Sequence, residues 1–83
     1  MAYLVSAVPQ LGPTLRGLRK ARNMTQQAVA RAAGLRQKTV SMLETQPHRC
    51  TVDSLMRYLA AIHADLTLDV PQGAGRAVNT GQW

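Results

Sequence analysis

Phenylalanine is missing from this chain of 83 residues, and Tyr3, Tyr58 and Trp83 are its only aromatics. That scarcity argues against a nucleic-acid binder of the RRM or OB type, which stacks bases on aromatic platforms. Cysteine occurs once, at Cys50. No intrachain disulfide can form, and a reducing compartment is the plain reading. No apolar run is long enough to span a membrane. MAYLVSAV at the start has no basic residues before it, so it is not read as a secretory signal, and a cytoplasmic location is expected. His48 and His63 each stand without a second His, Cys or acid at metal spacing. No metal and no cofactor is therefore expected.

Acids are the most unevenly missing. Residues 1–43 carry Arg16, Arg19, Lys20, Arg22, Arg31, Arg36 and Lys38, and neither Asp nor Glu. Residues 44–83 set Arg49, Arg57 and Arg76 against Glu44, Asp53, Asp65 and Asp69. The net charge of +6 thus sits in one half of the chain. Such asymmetry suits a polyanion held on one face. A chain of this length makes one domain with a modest core, which favours stabilisation by dimerisation.

Turn signals and apolar spacing divide the chain into an arm over 1–9, a helical domain over 10–64, a short strand over 65–70 and a flexible tail over 71–83. Pro9 and Pro13 suit the start of a helix. Leu11, Leu15 and Leu18 then recur at helical spacing, in a segment ending near Asn23. Thr25 is a good cap for a second helix over about 26–33, and Gly34 can supply the left-handed residue that ends it. A third helix over about 37–44 turns Val40 and Leu43 inward. Thr51 caps a fourth, whose apolar stripe is Val52, Leu55, Met56, Leu59 and Ile62. In LTLDV, Leu66, Leu68 and Val70 alternate with polar residues as in a strand. No second strand exists in the chain to pair with it, so its natural partner is the same strand of a second copy across a two-fold axis.

The centre of the chain carries a motif. Ala30 is small where two helices must touch, Gly34 lets the chain reverse within a few residues, and β-branched Val40 locks the next helix onto the previous one. Small, Gly and apolar at these offsets is the helix-turn-helix signature. The packing leaves Arg36, Gln37, Lys38, Ser41 and Met42 outside. Arg, Lys and Gln are side chains that read guanine and adenine edges in the major groove. Gln26 and Gln27 open the second helix, where free backbone N–H groups can hold a phosphate, and Thr39 lies close to the same backbone.

Residues 11–62, through LRGLRKARNMTQQAVARAAGLRQKTVSMLE, resemble the Xre/Cro-type helix-turn-helix repressors. The resemblance implies an all-α, lambda-repressor-like domain of four to five helices. It also implies an internal pair between Arg19 and Glu44. Contact positions carried over fall on Gln26, Gln37, Lys38, Thr39 and Ser41. LAAIHADLTLDV at 59–70, followed by the tail, further resembles HipB-type antitoxins, in which a short strand pairs across the dimer. What that implies is a bacterial, nucleoid-associated homodimer on a palindromic double-stranded DNA operator, with a HipA-type serine/threonine kinase toxin as partner.

Base contacts are accordingly expected from Arg36, Gln37, Lys38 and Ser41. Phosphate contacts are expected from Gln26, Gln27 and Thr39, and dimerisation from Leu66, Leu68 and Val70. No carboxylate pair or Ser-His-Asp or Cys-His arrangement supports an enzyme. Two alternatives to the antitoxin remain: a stand-alone phage-type repressor and a helical protein-interaction module.

Overall fold

The computed structural model describes residues 4–68. Four helices follow one another: α1 (Val8–Ala21), α2 (Gln26–Ala33), α3 (Gln37–Thr45) and α4 (Val52–Ala61), with a 3₁₀ turn at Pro47–Arg49 between the last two. None of them is long and apolar enough to cross a membrane. Val70 of the expected strand and the tail from 71 onward lie outside the described residues. Residues 66–68 form no strand within the single chain, and Leu66 and Leu68 are exposed.

Helix α1 starts two residues inside the expected arm. Gln10 Oε1 accepts from the amides of Ser6 at 2.6 Å and Ala7 at 3.1 Å, which fixes the chain's entry. This is half of a capping box, because Ala7 has no side-chain acceptor to complete it. Pro9 sits in the first turn and Pro13 within the helix. The N–H that Pro13 lacks would have served the carbonyl of Pro9, in an exposed turn where water can replace it.

Three helices end in the same way. Asn23, Gly34 and His63 take left-handed backbone, with φ of 57°, 69° and 59°. The residue after each returns its N–H to a carbonyl five back: Met24 to Arg19 (3.2 Å), Leu35 to Ala30 (2.9 Å) and Ala64 to Leu59 (2.8 Å). Met24, Leu35 and Ala64 also pack on the core, as the C-terminal Schellman arrangement favours. At the other ends, Thr25 Oγ1 accepts from the Ala28 amide and Thr51 Oγ1 from the Ser54 amide, both at 3.0 Å.

The core is Leu15, Val29, Ala30, Val40, Leu43, Tyr58, Leu59 and Ile62. The stripe on α4 is therefore rotated from the one expected. Leu55, Tyr58, Leu59 and Ile62 face inward, whereas Val52 is 71% and Met56 44% exposed. Tyr58 displaces them because its ring fills the centre while its hydroxyl reaches a buried acceptor.

That acceptor is Glu44, at the end of α3. Arg19 of α1 donates from Nε to Oε2 at 2.6 Å and from Nη2 to Oε1 at 3.1 Å. Tyr58 of α4 donates its hydroxyl to Oε2 at 2.5 Å, and Gln26 of α2 donates Nε2 to Oε1 at 3.1 Å. Arg19 spends its remaining fork on the carbonyl of Met24 at 2.9 Å. A buried carboxylate is costly unless its lone pairs are filled, and here each oxygen receives two donors. Burial pushes the Glu44 carboxyl up. The hydrogen bonds from Arg19, Tyr58 and Gln26 and the adjacent guanidinium outweigh that, and its pKa lies below the ordinary carboxylate value. Burial, reinforced by Glu44, raises the Tyr58 phenol.

Helix α1 reaches α3 at Gly12. A Cβ there would lie 2.4 Å from the Glu44 carbonyl oxygen and 2.9 Å from its carbon, both main-chain atoms that cannot turn aside. Gly17 on the same helix faces open space. Gly12→Ala should therefore lower stability by about 1–3 kcal/mol, and Gly17→Ala should raise it by up to about 1 kcal/mol. Urea midpoints at constant slope would measure both, and equal effects would contradict the close approach.

The Glu44 network also sets the pH range. A carboxyl lowered on folding contributes stability that is complete above its ordinary 4.5 and is lost as pH falls through the folded value. A phenol raised on folding contributes stability that is complete below 10.0 and is lost as pH rises through the folded value. Glu44→Gln should cost about 3–5 kcal/mol at neutral pH, because Arg19 stays buried without its counterion, and should flatten the acid limb. Tyr58→Phe should remove the alkaline loss instead. Stability measured from pH 3 to 11 checks both, and unchanged limbs would sink the assignment.

Candidate nucleic-acid interface

Helices α2 and α3 pack against each other across the Gly34 turn, with Ala30 and Val40 buried between them. Their first turns carry the polar residues that the sequence singles out. In α2, the Ala28 amide is taken by Thr25 Oγ1 and the Val29 amide by Thr25 O. The amides of Gln26 and Gln27 have no protein acceptor among the described residues. In α3, Arg36 stands at the cap position with no side-chain capping bond, and its carbonyl accepts from Val40 at 3.1 Å. The amides of Gln37, Lys38 and Thr39 are left for an outside acceptor.

Neither first turn contains an acid. The partial positive charge of a helix N-terminus favours acids nearby and disfavours bases. Here Arg36 and Lys38 are placed at that end, exposed, and make no ion pair among the described residues. The arrangement costs the free chain electrostatically and favours an incoming anion such as a phosphate. Gln37 is exposed beside them; Thr39 and Ser41 are half-buried.

Gln27 is exposed, whereas Gln26 is not wholly available. Its side chain turns inward to Glu44, so it keeps for a phosphate its main-chain N–H and its second amide hydrogen. Residues Leu66 and Leu68 lie past the end of α4, apart from the α2–α3 turns in the chain, and 51% and 86% exposed. Arg19 and Glu44 are the buried pair described above.

One cation of this face, Arg49, escaped the sequence reading. An open groove lies along α3, lined by Lys38, Ser41, Met42, Thr45, Gln46 and Arg49. Arg49 arrives there because the 3₁₀ turn at Pro47–Arg49 folds back after α3, and its Nη1 donates to Gln46 Oε1 at 3.2 Å. TQPHRCT reads as a plain loop, and only Pro47 hints that it turns tightly. The fourth donor to Glu44, Tyr58, was also unseen, since an isolated tyrosine in an apolar helix carries no mark of what its hydroxyl will meet.

Solved structures share this fold. A HipB–O1–O2 complex contains a chain with TM-score 0.77 and 23% identity, the match covering 83% of this chain and 100% of that one. A HipA–HipB–O2–O3 complex gives 0.78 and 22%, covering 86% and 100%. A HipB–O2 20-mer complex gives 0.79 and 22%, covering 87% and 100%. No curated protein matches the chain. The helix-turn-helix family matches residues 15–68, from the first buried leucine of α1 to past the end of α4. With that match over most of its length and α2, the Gly34 turn and α3 in place, the chain belongs to the helix-turn-helix family.

Proposed function

We propose that the protein is a sequence-specific transcriptional repressor that binds a palindromic operator as a homodimer and serves as the antitoxin of a HipA-type kinase. The observation that carries the DNA reading is the pair of helix N-termini with free amides and no acid, the second of which adds the unpaired Arg36 and Lys38. Each subunit inserts α3 into the major groove of a half-site, with half-sites roughly one helical turn, or a multiple of it, apart. The main-chain N–H groups of Gln26 and Gln27, and Thr39, grip phosphate and set the register. Arg36, Gln37, Lys38 and Ser41 address base edges. Arg49 adds a cation along the same groove.

The dimer rests on Leu66, Leu68 and Val70 pairing with their copies. Exposure of Leu66 and Leu68, and of Val52 and Met56 on α4, supports an apolar surface that a second subunit would cover. The antitoxin role is supported by likeness of fold to HipB in the HipA–HipB–O2–O3 complex. A stand-alone repressor would show the same DNA binding without the kinase. Co-expression with the product of the adjacent reading frame separates the two, since a repressor alone forms no stable complex with it.

Binding to the DNA upstream of the protein's own gene, compared with scrambled DNA across a salt series, tests the central reading. A preference that survives physiological salt is expected; equal affinities that vanish together as salt rises would leave a helical interaction module with incidental charge. Lys38→Ala or Gln37→Ala should cost about 1–3 kcal/mol and relax one position of the site. Uniform loss across sequences would make the residue a phosphate contact instead. Leu68→Pro should shift sedimentation toward the monomer and weaken DNA binding with it, and an unchanged dimer would overturn the strand pairing.

A further inference from the structure

We infer that Met42 determines specificity by reading the 5-methyl group of a thymine, an assignment that rests on the DNA reading above. Met42 is half-buried, yet it is not among the apolar side chains that pack on the core. Its neighbours in α3 do otherwise: Val40 and Leu43 are buried in the centre. Met42 instead lines the open groove that it shares with Lys38, one turn earlier, and with Arg49 of the 3₁₀ turn. It is an apolar side chain, off the core cluster, on a surface otherwise built of cations, amides and hydroxyls.

The next turn extends the apolar strip. Thr45 Oγ1 donates to the Ser41 carbonyl at 2.9 Å, so the hydroxyl is spent on the helix's own backbone. Thr45 can thus offer the groove its methyl without an unmet hydroxyl. The face of α3 therefore changes character along its length. Arg36, Gln37, Lys38 and Ser41 present hydrogen-bonding groups, and Met42 presents none that a base would prefer. In the major groove the one apolar feature is the C5 methyl of thymine, and contact with it needs an apolar surface rather than a donor. A thioether chain with three rotatable bonds can adapt to that methyl as few side chains can. Lys38 and Arg49, which line the same groove, would hold the DNA strand close enough for so short a contact.

The test removes one methyl at a time. A preferred duplex is selected from randomised DNA with the full chain, and each of its thymines is replaced by deoxyuridine. One thymine in each half-site should lose roughly three- to fivefold in affinity, the worth of one buried methyl. In Met42→Ala that penalty should disappear while the other positions keep theirs, and Met42→Leu should retain it. Replacing the same thymine–adenine pair by cytosine–guanine should weaken binding, and 5-methylcytosine should recover part of the loss. Unchanged melting of Met42→Ala would show that the effect is not one of folding, as its place off the core predicts. A preferred duplex whose thymines all tolerate uracil, or a penalty that persists in Met42→Ala, overturns the Met42 assignment and leaves base reading intact. Selection that returns no preferred sequence overturns the DNA reading itself and this assignment with it.

Discussion

One carboxylate ties the four helices together. Glu44 belongs to α3, and its two oxygens collect Arg19 from α1, Gln26 from α2 and Tyr58 from α4. A charge inside a small domain is stable only while every lone pair is occupied, because the interior offers no water to replace a missing donor. No helix can therefore rotate or slide without stripping a hydrogen bond from Glu44. Gly12 tightens the same point, since α1 lies against the Glu44 main chain where a side chain would not fit. Such a network adds little net stability compared with an apolar filling of equal volume, but it specifies one arrangement against its neighbours. For the proposed DNA surface, which is the relative placement of α2 and α3, one arrangement is what matters.

The same carboxylate accounts for the charge of the surface. It is the only acid among residues 1–52, and it is buried and neutralised by Arg19. The rest of that stretch presents cations to solvent with no acid among them. Phosphates approaching α2 and α3 meet a field of one sign, concentrated further by the two helix N-termini. The one surface ion pair among the described residues, Asp53 with Arg57 at 2.9 Å, lies on α4 and takes no charge from that face.

Much of this was legible in the sequence because it depends on neighbours along the chain. The caps at Thr25 and Thr51, the left-handed Gly34 and the inward Ala30, Val40 and Leu43 all follow from short-range spacing, and each stands where that spacing puts it. The start of α1 was not legible, since Gln10 reaching back to Ser6 and Ala7 sets it earlier than the start that two prolines suggest. Nor was the roll of α4. Val52, Leu55, Met56, Tyr58, Leu59 and Ile62 offer two overlapping stripes, and the choice between them is made by the tyrosine hydroxyl finding Glu44. Arg49 joins the groove only through the 3₁₀ turn, which a loop of this composition does not announce.

Sequence by itself determined the helices, the reversal at Gly34 and the excess of positive charge, because backbone capping, side-chain periodicity and formal charge are local properties. It also marked Leu66 and Leu68 as residues in want of a partner. Only the tertiary structure decided which polar side chains face inward and which remain for a ligand. Gln26 and Gln27 are chemically the same and adjacent, and nothing along the chain distinguishes them. One is drawn to a buried carboxylate contributed from 18 residues away, and the other is left in solvent. That difference arises from contacts between helices, where the cost of an unsatisfied buried charge outweighs any preference of the isolated segment.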